Sequence, residues 1–435
     1  MAKRLFGTDG VRGPVGEFLS ADLALALARA ATQRIGVPHP RVLIIRDTRE
    51  SGEMLEAAVA AGIAEAGGAA LTGGILPTPA APLLLARYGL DLAVVLSASH
   101  NPYADNGIKF FGADGHKLSD ALEEQIELAM GEPAPYRSVG RIQPLRGTHE
   151  DYLRALHERY AALDLANRSV LLDCAHGATY RAAPEIFRRL GATVTVLHDA
   201  PDGRNINAGC GSTHIDALGP HVVAGDHDVA FAFDGDGDRV LAVDRTGTVV
   251  DGDELIAMAA RHLGVEGVAV TVMTNFGFQQ AMWEAGIDVA VTRVGDRYVL
   301  EELRSRAWRL GGEQSGHIID LGFAPSGDGI AAALLTLEAL GGADLADRDA
   351  MRKLPQVLVN VEVADRDSAI RDPDLRAAIA HESGVLEGRG RVLVRPSGTE
   401  PLIRVMVEAP TEDEARRISD RLVAAVPATI GISSA

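Results

Sequence analysis

Arg41-Val42-Leu43-Ile44-Ile45 is an apolar run behind a single charge, and the segments that follow it decide the fold. The run reads as a buried strand, followed by a polar loop, a helix from about Gly52 to Ala66 and a second strand reaching Leu76. Ser169-Val170-Leu171-Leu172-Asp173 starts the same course, through a helix near Ala182 to Leu190 and a strand Thr193–Leu197. Val268-Ala269-Val270-Thr271-Val272 does so a third time and ends in Val289–Thr292. A unit recurring about every hundred residues is far too long for a solenoid repeat and suits tandem domains. Continuous apolar strands alternating with amphipathic helices predict parallel sheets covered on both faces.

The C-terminal part differs. Strand signals fall at Val357–Val363, Arg391–Val394 and Leu402–Glu408, and helices at Asp374–Ala380 and Glu412–Ala425, which predicts a smaller α+β domain. The expectation is three related α/β domains with mixed, mostly parallel sheets at 1–152, 153–252 and 253–366, and an α+β domain at 367–435. The Pro/Gly-containing stretch Glu132–Gly147 is expected to be a linker.

Composition narrows the function. Hydrophobic residues make up 47% and charged residues 23% of 435, the range of folded globular proteins. The formal net charge of −18 disfavours broad attraction to nucleic acid or anionic membrane, so an anionic substrate needs a local cluster of cations. Only Lys3, Lys109, Lys117 and Lys353 are lysines. No apolar run has signal-peptide or membrane-span character, and Cys174 and Cys210 lack CxxC spacing. A cytoplasmic protein with two small buried cysteines is the expectation.

Four polar loops carry candidate chemistry, three of them directly after strand-like runs, where open α/β sheets bind ligands. Ser97-Ala98-Ser99-His100-Asn101-Pro102, with Lys109 nearby, holds the parts of a nucleophile with cationic support, although alone such a loop is more often turn chemistry. Asp234-Gly235-Asp236-Gly237-Asp238-Arg239 spaces three carboxylates by glycines, so they can converge on one hard cation; an acidic surface turn is the alternative. An EF-hand fails, because Arg239 and Arg245 occupy the positions that need glycine and glutamate. Gly311-Gly312-Glu313-Gln314-Ser315-Gly316-His317 offers Glu313 and Ser315 to sugar hydroxyls and His317 to a proton or phosphate, but reads equally as a polar turn. Arg395-Pro396-Ser397-Gly398-Thr399-Glu400, with Arg404 on the next strand, has the makings of a phosphate nest. None of the lysines follows a glycine, so there is no Walker A loop, and Gly209-Cys210-Gly211 lacks the third glycine of a dinucleotide fingerprint.

Taken in order, with Phe6-Gly7-Thr8-Asp9-Gly10-Val11-Arg12-Gly13 ahead of them, these loops resemble the α-D-phosphohexomutase superfamily over essentially the whole chain, and within it the bacterial branch acting on glucosamine phosphates. The resemblance implies four domains around one central active-site cleft. It implies a phosphorylated Ser99, Mg²⁺ held by Asp234, Asp236 and Asp238 beside Ser99, and Arg12, His100, Lys109 and Arg239 around the transferring phosphoryl group. Glu313 and Ser315 match the sugar-hydroxyl loop, with His317 in it, and Arg395, Ser397, Gly398, Thr399 and Arg404 match a clamp on the phosphate that is not reacting.

The implied reaction converts glucosamine 6-phosphate to glucosamine 1-phosphate through a 1,6-bisphosphate, supplying UDP-N-acetylglucosamine and cell-wall precursors. Mannose- and glucose-type relatives commonly carry a histidine after the glycine of Arg293-Val294-Gly295-Asp296-Arg297-Tyr298. Asp296 in its place, with Gln314, resembles the glucosamine branch, and Asp296 is a candidate for the substrate ammonium or for a surface salt bridge. A phosphomannomutase or phosphoglucomutase, a non-catalytic sugar-phosphate sensor and a metal-dependent phosphatase are the competing readings. The implied partner is a small sugar phosphate, with no nucleic acid or membrane, and a homodimer is suggested.

Overall fold

A computed structural model describes residues 5–7, 9–131, 139–397 and 400–427, and the backbone of 429–434. Its described residues form two compact units, one of 1–273 with 287–348 and one of 274–286 with 349–435.

The first unit carries three sheets. Strands β1 (Val11–Pro14), β2 (Arg41–Arg46), β3 (Ala69–Ile75), β4 (Leu92–Leu96), β5 (Asp105–Gly112) and β6 (Arg141–Pro144) run in the order β1-β5-β4-β2-β3-β6. Strands β7 (Ser169–Asp173), β8 (Thr193–Leu197), β9 (Val229–Phe233), β10 (Val240–Asp244) and β11 (Val249–Val250) follow in the order β11-β10-β9-β7-β8. Strands β12 (Gly267–Thr271), β13 (Asp288–Thr292), β14 (Leu310–Gly312) and β15 (Ile318–Asp320) complete the set as β13-β12-β14-β15. Each sheet has parallel strands at its centre and antiparallel strands on one side: β4 pairs antiparallel with β5, β9 with β10 and β14 with β15. The central strands are buried throughout, as in Leu92–Leu96 and Val229–Phe233, because helices cover both faces. Ser20 starts the helix Ala21–Arg34 by accepting from Leu23 N, and Asp251 starts Gly252–Leu263 with a full capping box.

The second unit is built on an all-antiparallel sheet of β16 (Gln356–Val363), β17 (Arg391–Pro396), β18 (Leu402–Glu408) and β19 (Thr429–Ser434), ordered β17-β18-β16-β19. Helices Pro373–Val385 and Glu412–Ala424 supply its apolar cover.

Two details depart from the sequence-based expectation. Part of the expected linker, 132–138, lies outside the described residues, but Arg141–Pro144 forms edge strand β6, parallel to β3. All four of its residues are exposed, so no apolar alternation marked it. Helix Phe276–Glu284 lies far upstream of residue 367 yet groups with the C-terminal sheet, to which the strand signal at Val357–Val363 already belonged. Phe276 N donates to buried Glu408 (2.8 Å) and Asn275 exchanges hydrogen bonds with Leu354 (3.0 and 3.1 Å), pairings between residues distant in sequence. Among the described residues no helix is long and apolar enough to cross a membrane.

Candidate active site

The topology sets the candidate loops at one kind of place. Ser97–Pro102 joins β4 to β5, Asp234–Arg239 joins β9 to β10, Glu313–His317 joins β14 to β15, and the loop after Pro396 joins β17 to β18. Each loop turns the chain from one strand into an antiparallel neighbour. In the first unit three of these turns converge.

Ser99 is 1% exposed and sits at φ 51°, a left-handed conformation that costs a non-glycine residue about 1–3 kcal/mol. A buried scaffold imposes it. Arg49, fully buried, donates Nη2 to the carbonyls of Ser99 and Asn101 (both 2.9 Å) and Nη1 to those of Asp105 (3.0 Å) and Pro102. Its Nε donates to Asp47 Oδ2 (2.9 Å), which also accepts from Ser97 Oγ (2.6 Å), while Ser97 Oγ accepts from Ser99 N (2.9 Å). Asn207 Nδ2 adds bonds to the Ser99 and Asn101 carbonyls (2.9 and 3.1 Å).

Ser99 Oγ donates to Asp234 Oδ2 at 2.6 Å. The metal-type loop reaches it because residue 235 is glycine: a Cβ there would lie 2.6 Å from the Ser99 carbonyl oxygen. One carboxylate oxygen from each of Asp234, Asp236 and Asp238 falls within 4.8 Å of the others, all three residues are buried, and Asp236 Oδ1 and Asp238 Oδ1 have no hydrogen-bond partner. Burial first, then the charges of Asp238 and Asp236, push Asp234 well above the usual carboxylate range. Against burial, Lys109 and Thr78 hold Asp236 below that range, and His317, Lys109 and Arg239 hold Asp238 well below it. Three converging carboxylates, two of them with an unpartnered oxygen, fit a hard divalent cation.

Cations ring the triad. Lys109, 1% exposed, bonds Asp236 Oδ2 (2.8 Å) and lies 3.0 Å from Asp9 Oδ2. Thr78 Oγ1 donates to the same Asp236 oxygen (2.7 Å). Arg12 pairs with Asp9. Arg239 Nη1 is 3.3 Å from His100 Nδ1, which is itself 3.3 Å from Ser99 Oγ. Burial, then Arg239 and Arg12, lower the His100 pKa and so favour the uncharged imidazole.

In the third loop, Glu313 Oε1 accepts from Gly295 N (3.0 Å) and Ser315 is exposed. His317 lies 3.6 Å from Asp238 Oδ2 and 3.8 Å from Asp296 Oδ2, and accepts at Nε2 from Gly327 N (3.2 Å). Asp296 is held by Lys117 Nζ (2.5 Å), which also pairs with Asp9, and Gln314 is tied to Asp251 (3.0 Å). A cavity of about 850 Å³ opens beside Lys117, Asp296 and His317 and has Arg297 and Arg304 in its wall.

Arg395, Ser397 and Arg404 belong to the second unit, and Gly398 and Thr399 lie outside the described residues. Arg395 stands directly opposite Arg404 in the β17–β18 ladder, where burial and then Arg404 lower its pKa. Arg404 Nη2 bonds Glu400 (3.3 Å), and Arg366 Nη1 bonds the Ser397 carbonyl (2.5 Å).

The sequence reading missed Asp47 and Arg49, Asn207, Thr78 and the bridging role of Lys117. Asp47-Thr48-Arg49 directly after β2 was a readable signal, being the polar loop at the end of the first recurring strand, and Lys117 stood out as one of few lysines.

A phosphohexomutase-type architecture is what this fold and these loops define, and the chain belongs to the phosphoglucomutase/phosphomannomutase family. Its alpha/beta/alpha domain I matches at residues 3–136, domain II at 150–247, domain III at 251–357 and the C-terminal domain at 358–425. The chain is 50% identical over 432 residues to a phosphoglucosamine mutase of Moorella thermoacetica, covering 95% of this chain and 97% of that one. In fold it is similar to a phosphoglucomutase/phosphomannomutase family protein from Burkholderia thailandensis (TM-score 0.83, 22% identity, 99% and 100% of the two chains). It is also similar to Aspergillus fumigatus N-acetylphosphoglucosamine mutase in complex with GlcNAc-6P and magnesium (TM-score 0.65, 18% identity, 97% and 95%). The chain is an enzyme of the isomerase class, a mutase.

Proposed function

We propose that the enzyme interconverts glucosamine 6-phosphate and glucosamine 1-phosphate, with phosphorylated Ser99 as the donor. The observation that carries the role of Ser99 is its buried hydroxyl, on a left-handed backbone and 2.6 Å from Asp234 in a carboxylate triad flanked by Lys109 and Arg239. Phosphoryl transfer needs alignment and charge neutralisation more than covalent help, and this set supplies both.

Asp234, Asp236 and Asp238, with an oxygen of the Ser99 phosphate, would hold Mg²⁺. The ion, when bound, draws electron density from the phosphoryl oxygens and stabilises the leaving Ser99 oxygen. The Arg49 network fixes the Ser99 carbonyl and so holds Oγ against the aspartate triad. Arg239 and Lys109 offset the roughly −1.5 to −2 charges of a phosphoserine. His100, 3.3 Å from Oγ, is within reach to take a proton from an attacking hydroxyl.

The 1-hydroxyl of the substrate attacks phosphorus, the Ser99 Oγ–P bond breaks, and a 1,6-bisphosphate forms. After the sugar reorients, Ser99 Oγ attacks the 6-phosphoryl group, which returns to the protein and leaves the 1-phosphate. Glu313 and Ser315 would bind sugar hydroxyls. Arg395 and Arg404, like charges set opposite each other, would be relieved by the phosphate that is not reacting, held with Ser397, Gly398 and Thr399. Similarity to the Moorella enzyme supports the amino sugar, but Asp296 already answers Lys117, so its contribution to sugar choice would run through that pair.

Phosphorus NMR of glucosamine 6-phosphate with enzyme, Mg²⁺ and a trace of the bisphosphate, beside Ser99→Ala, tests the reading. A new 1-phosphate signal with wild type alone is expected. A signal only for inorganic phosphate, or faster turnover of mannose or glucose phosphates, would overturn it.

A further inference from the structure

In the loops at one end of the second sheet, next to the segment that carries the aspartate triad (Ala178 N donates to the Gly235 carbonyl, 2.8 Å), a different donor set converges. One nitrogen each from His176 and His198 and the Cys210 sulfur lie within 4.8 Å of one another. The two imidazoles stack edge to face with centroids 5.1 Å apart, and Cys210 is 1% exposed. Both Nδ1 atoms are inaccessible yet have no hydrogen-bond partner; His198 Nδ1 is 3.0 Å from Asp173 Oδ1 without an aligned bond. Asp173 is otherwise engaged, accepting from Ala175 N and Gly211 N (both 2.9 Å).

The backbone is strained to make this meeting. Of the nine non-glycine residues at positive φ among those described, Ala175 (52°), His176 (48°), His198 (53°) and Asn207 (58°) belong to this corner. Strain concentrated where buried polar atoms are unsatisfied points to a ligand. His176 N donates to the His198 carbonyl (2.6 Å) and Asn207 N to that of Ala175 (2.9 Å), so the donors are held in place without the ligand.

We propose that His176, His198 and Cys210 form a binding site for a borderline-soft divalent metal ion, Zn²⁺ above all, distinct from the hard-cation triad. Two imidazole nitrogens and one thiolate are the donor types such ions select over oxygen ligands. Each imidazole gives a lone pair, and Cys210 releases its thiol proton to solvent as the S–metal bond forms. Asp173, with Oδ1 3.0 Å from His198 Nδ1, lies beside the donor set and offsets part of the charge of a dication. His198, with a side chain 37% exposed, leaves an entry path. The ion joins the segments after β7, β8 and the 205–211 loop. Asn207 in that loop holds the Ser99 carbonyl, and the His176 carbonyl accepts from Thr48 Oγ1 (2.6 Å) beside Arg49, so the site buttresses the Ser99 loop from behind.

The full-length enzyme, treated with a transition-metal chelator and returned to excess Mg²⁺, is titrated with Co²⁺. One equivalent giving a thiolate-to-cobalt charge-transfer band, displaced by one equivalent of Zn²⁺, is expected. Cys210→Ser and His198→Ala should lose or strongly weaken the band and lower Zn²⁺ affinity at least about tenfold in a chelator competition. Asp236→Asn, at the oxygen site, should leave it. His198 is partly exposed, so His198→Ala keeps the test decisive should Cys210→Ser fail to fold. Absence of the band from wild type, or its persistence in His198→Ala at unchanged Zn²⁺ affinity, overturns the proposal. Neither readout depends on catalysis, so failure of the glucosamine reading leaves it standing.

Discussion

Arg49→Lys isolates positioning from chemistry, because Arg49 is expected to touch the Ser99 loop and never the sugar. The arginine side chain makes five hydrogen bonds, to Asp47 and to the carbonyls of Ser99, Asn101, Pro102 and Asp105. Lysine keeps the charge that Asp47 needs but has three donors, so at least two of the five are lost. At about 1.5–3 kcal/mol for a hydrogen bond to a charged group, the local loss is about 3–6 kcal/mol, enough to release the left-handed Ser99 conformation. A displacement of about 1 Å in an aligned phosphoryl transfer costs about 10²-fold, or about 2.7 kcal/mol in the barrier. The expected result is a kcat lowered about 100-fold with KM for the sugar phosphate within about threefold, in protein whose circular dichroism and chromatographic size are those of wild type. A folded variant with kcat within twofold of wild type would refute the positioning argument, and one losing only KM would place Arg49 at the substrate.

Three further outcomes are expected. Burial pushes Asp328, which accepts from Tyr152 at 3.0 Å and caps the helix Gly329–Leu340, up to about 6 from 3.8. Its folded pKa is raised, so its stabilising contribution is full below about pH 4 and is lost as pH rises through 6. Asp328→Asn should therefore match wild type near pH 4 and be more stable at pH 8 by up to about 3 kcal/mol, from about 2 units at 1.36 kcal/mol each; equal urea midpoints at pH 8 would show the carboxylate is not under that strain. Lys117→Met leaves Asp9 and Asp296 without their shared cation and should destabilise the protein by about 2–3 kcal/mol, with Asp296→Asn restoring part of it in a double-mutant cycle; additive losses would mean the pair is not coupled. Asp236→Asn should shift the Mg²⁺ activation curve at least about tenfold upward, and an unchanged curve would remove Asp236 from the metal site.

Much of this molecule is readable without coordinates where local chemistry repeats. The apolar runs at Arg41–Ile45, Ser169–Asp173 and Val268–Val272 announce central parallel strands, since a strand buried on both faces has no polar side to alternate. The aspartate loop is equally legible, because carboxylates spaced by glycines have few reasons to coexist. Strand β6 was not, since an exposed edge strand carries no pattern. The Cys210 site was also hidden, its donors lying on three separate segments.

The sequence by itself determined the α/β class, the order of the domains and the residue types available for phosphate chemistry, all consequences of local periodicity and spacing. Only the tertiary structure decided what each charge answers to. It brought Arg49 under Ser99, set Lys117 between Asp9 and Asp296, and turned His317 toward Asp238. Those assignments depend on which strands become neighbours, and a buried charge is defined by the partner that packing delivers, which no spacing along the chain records.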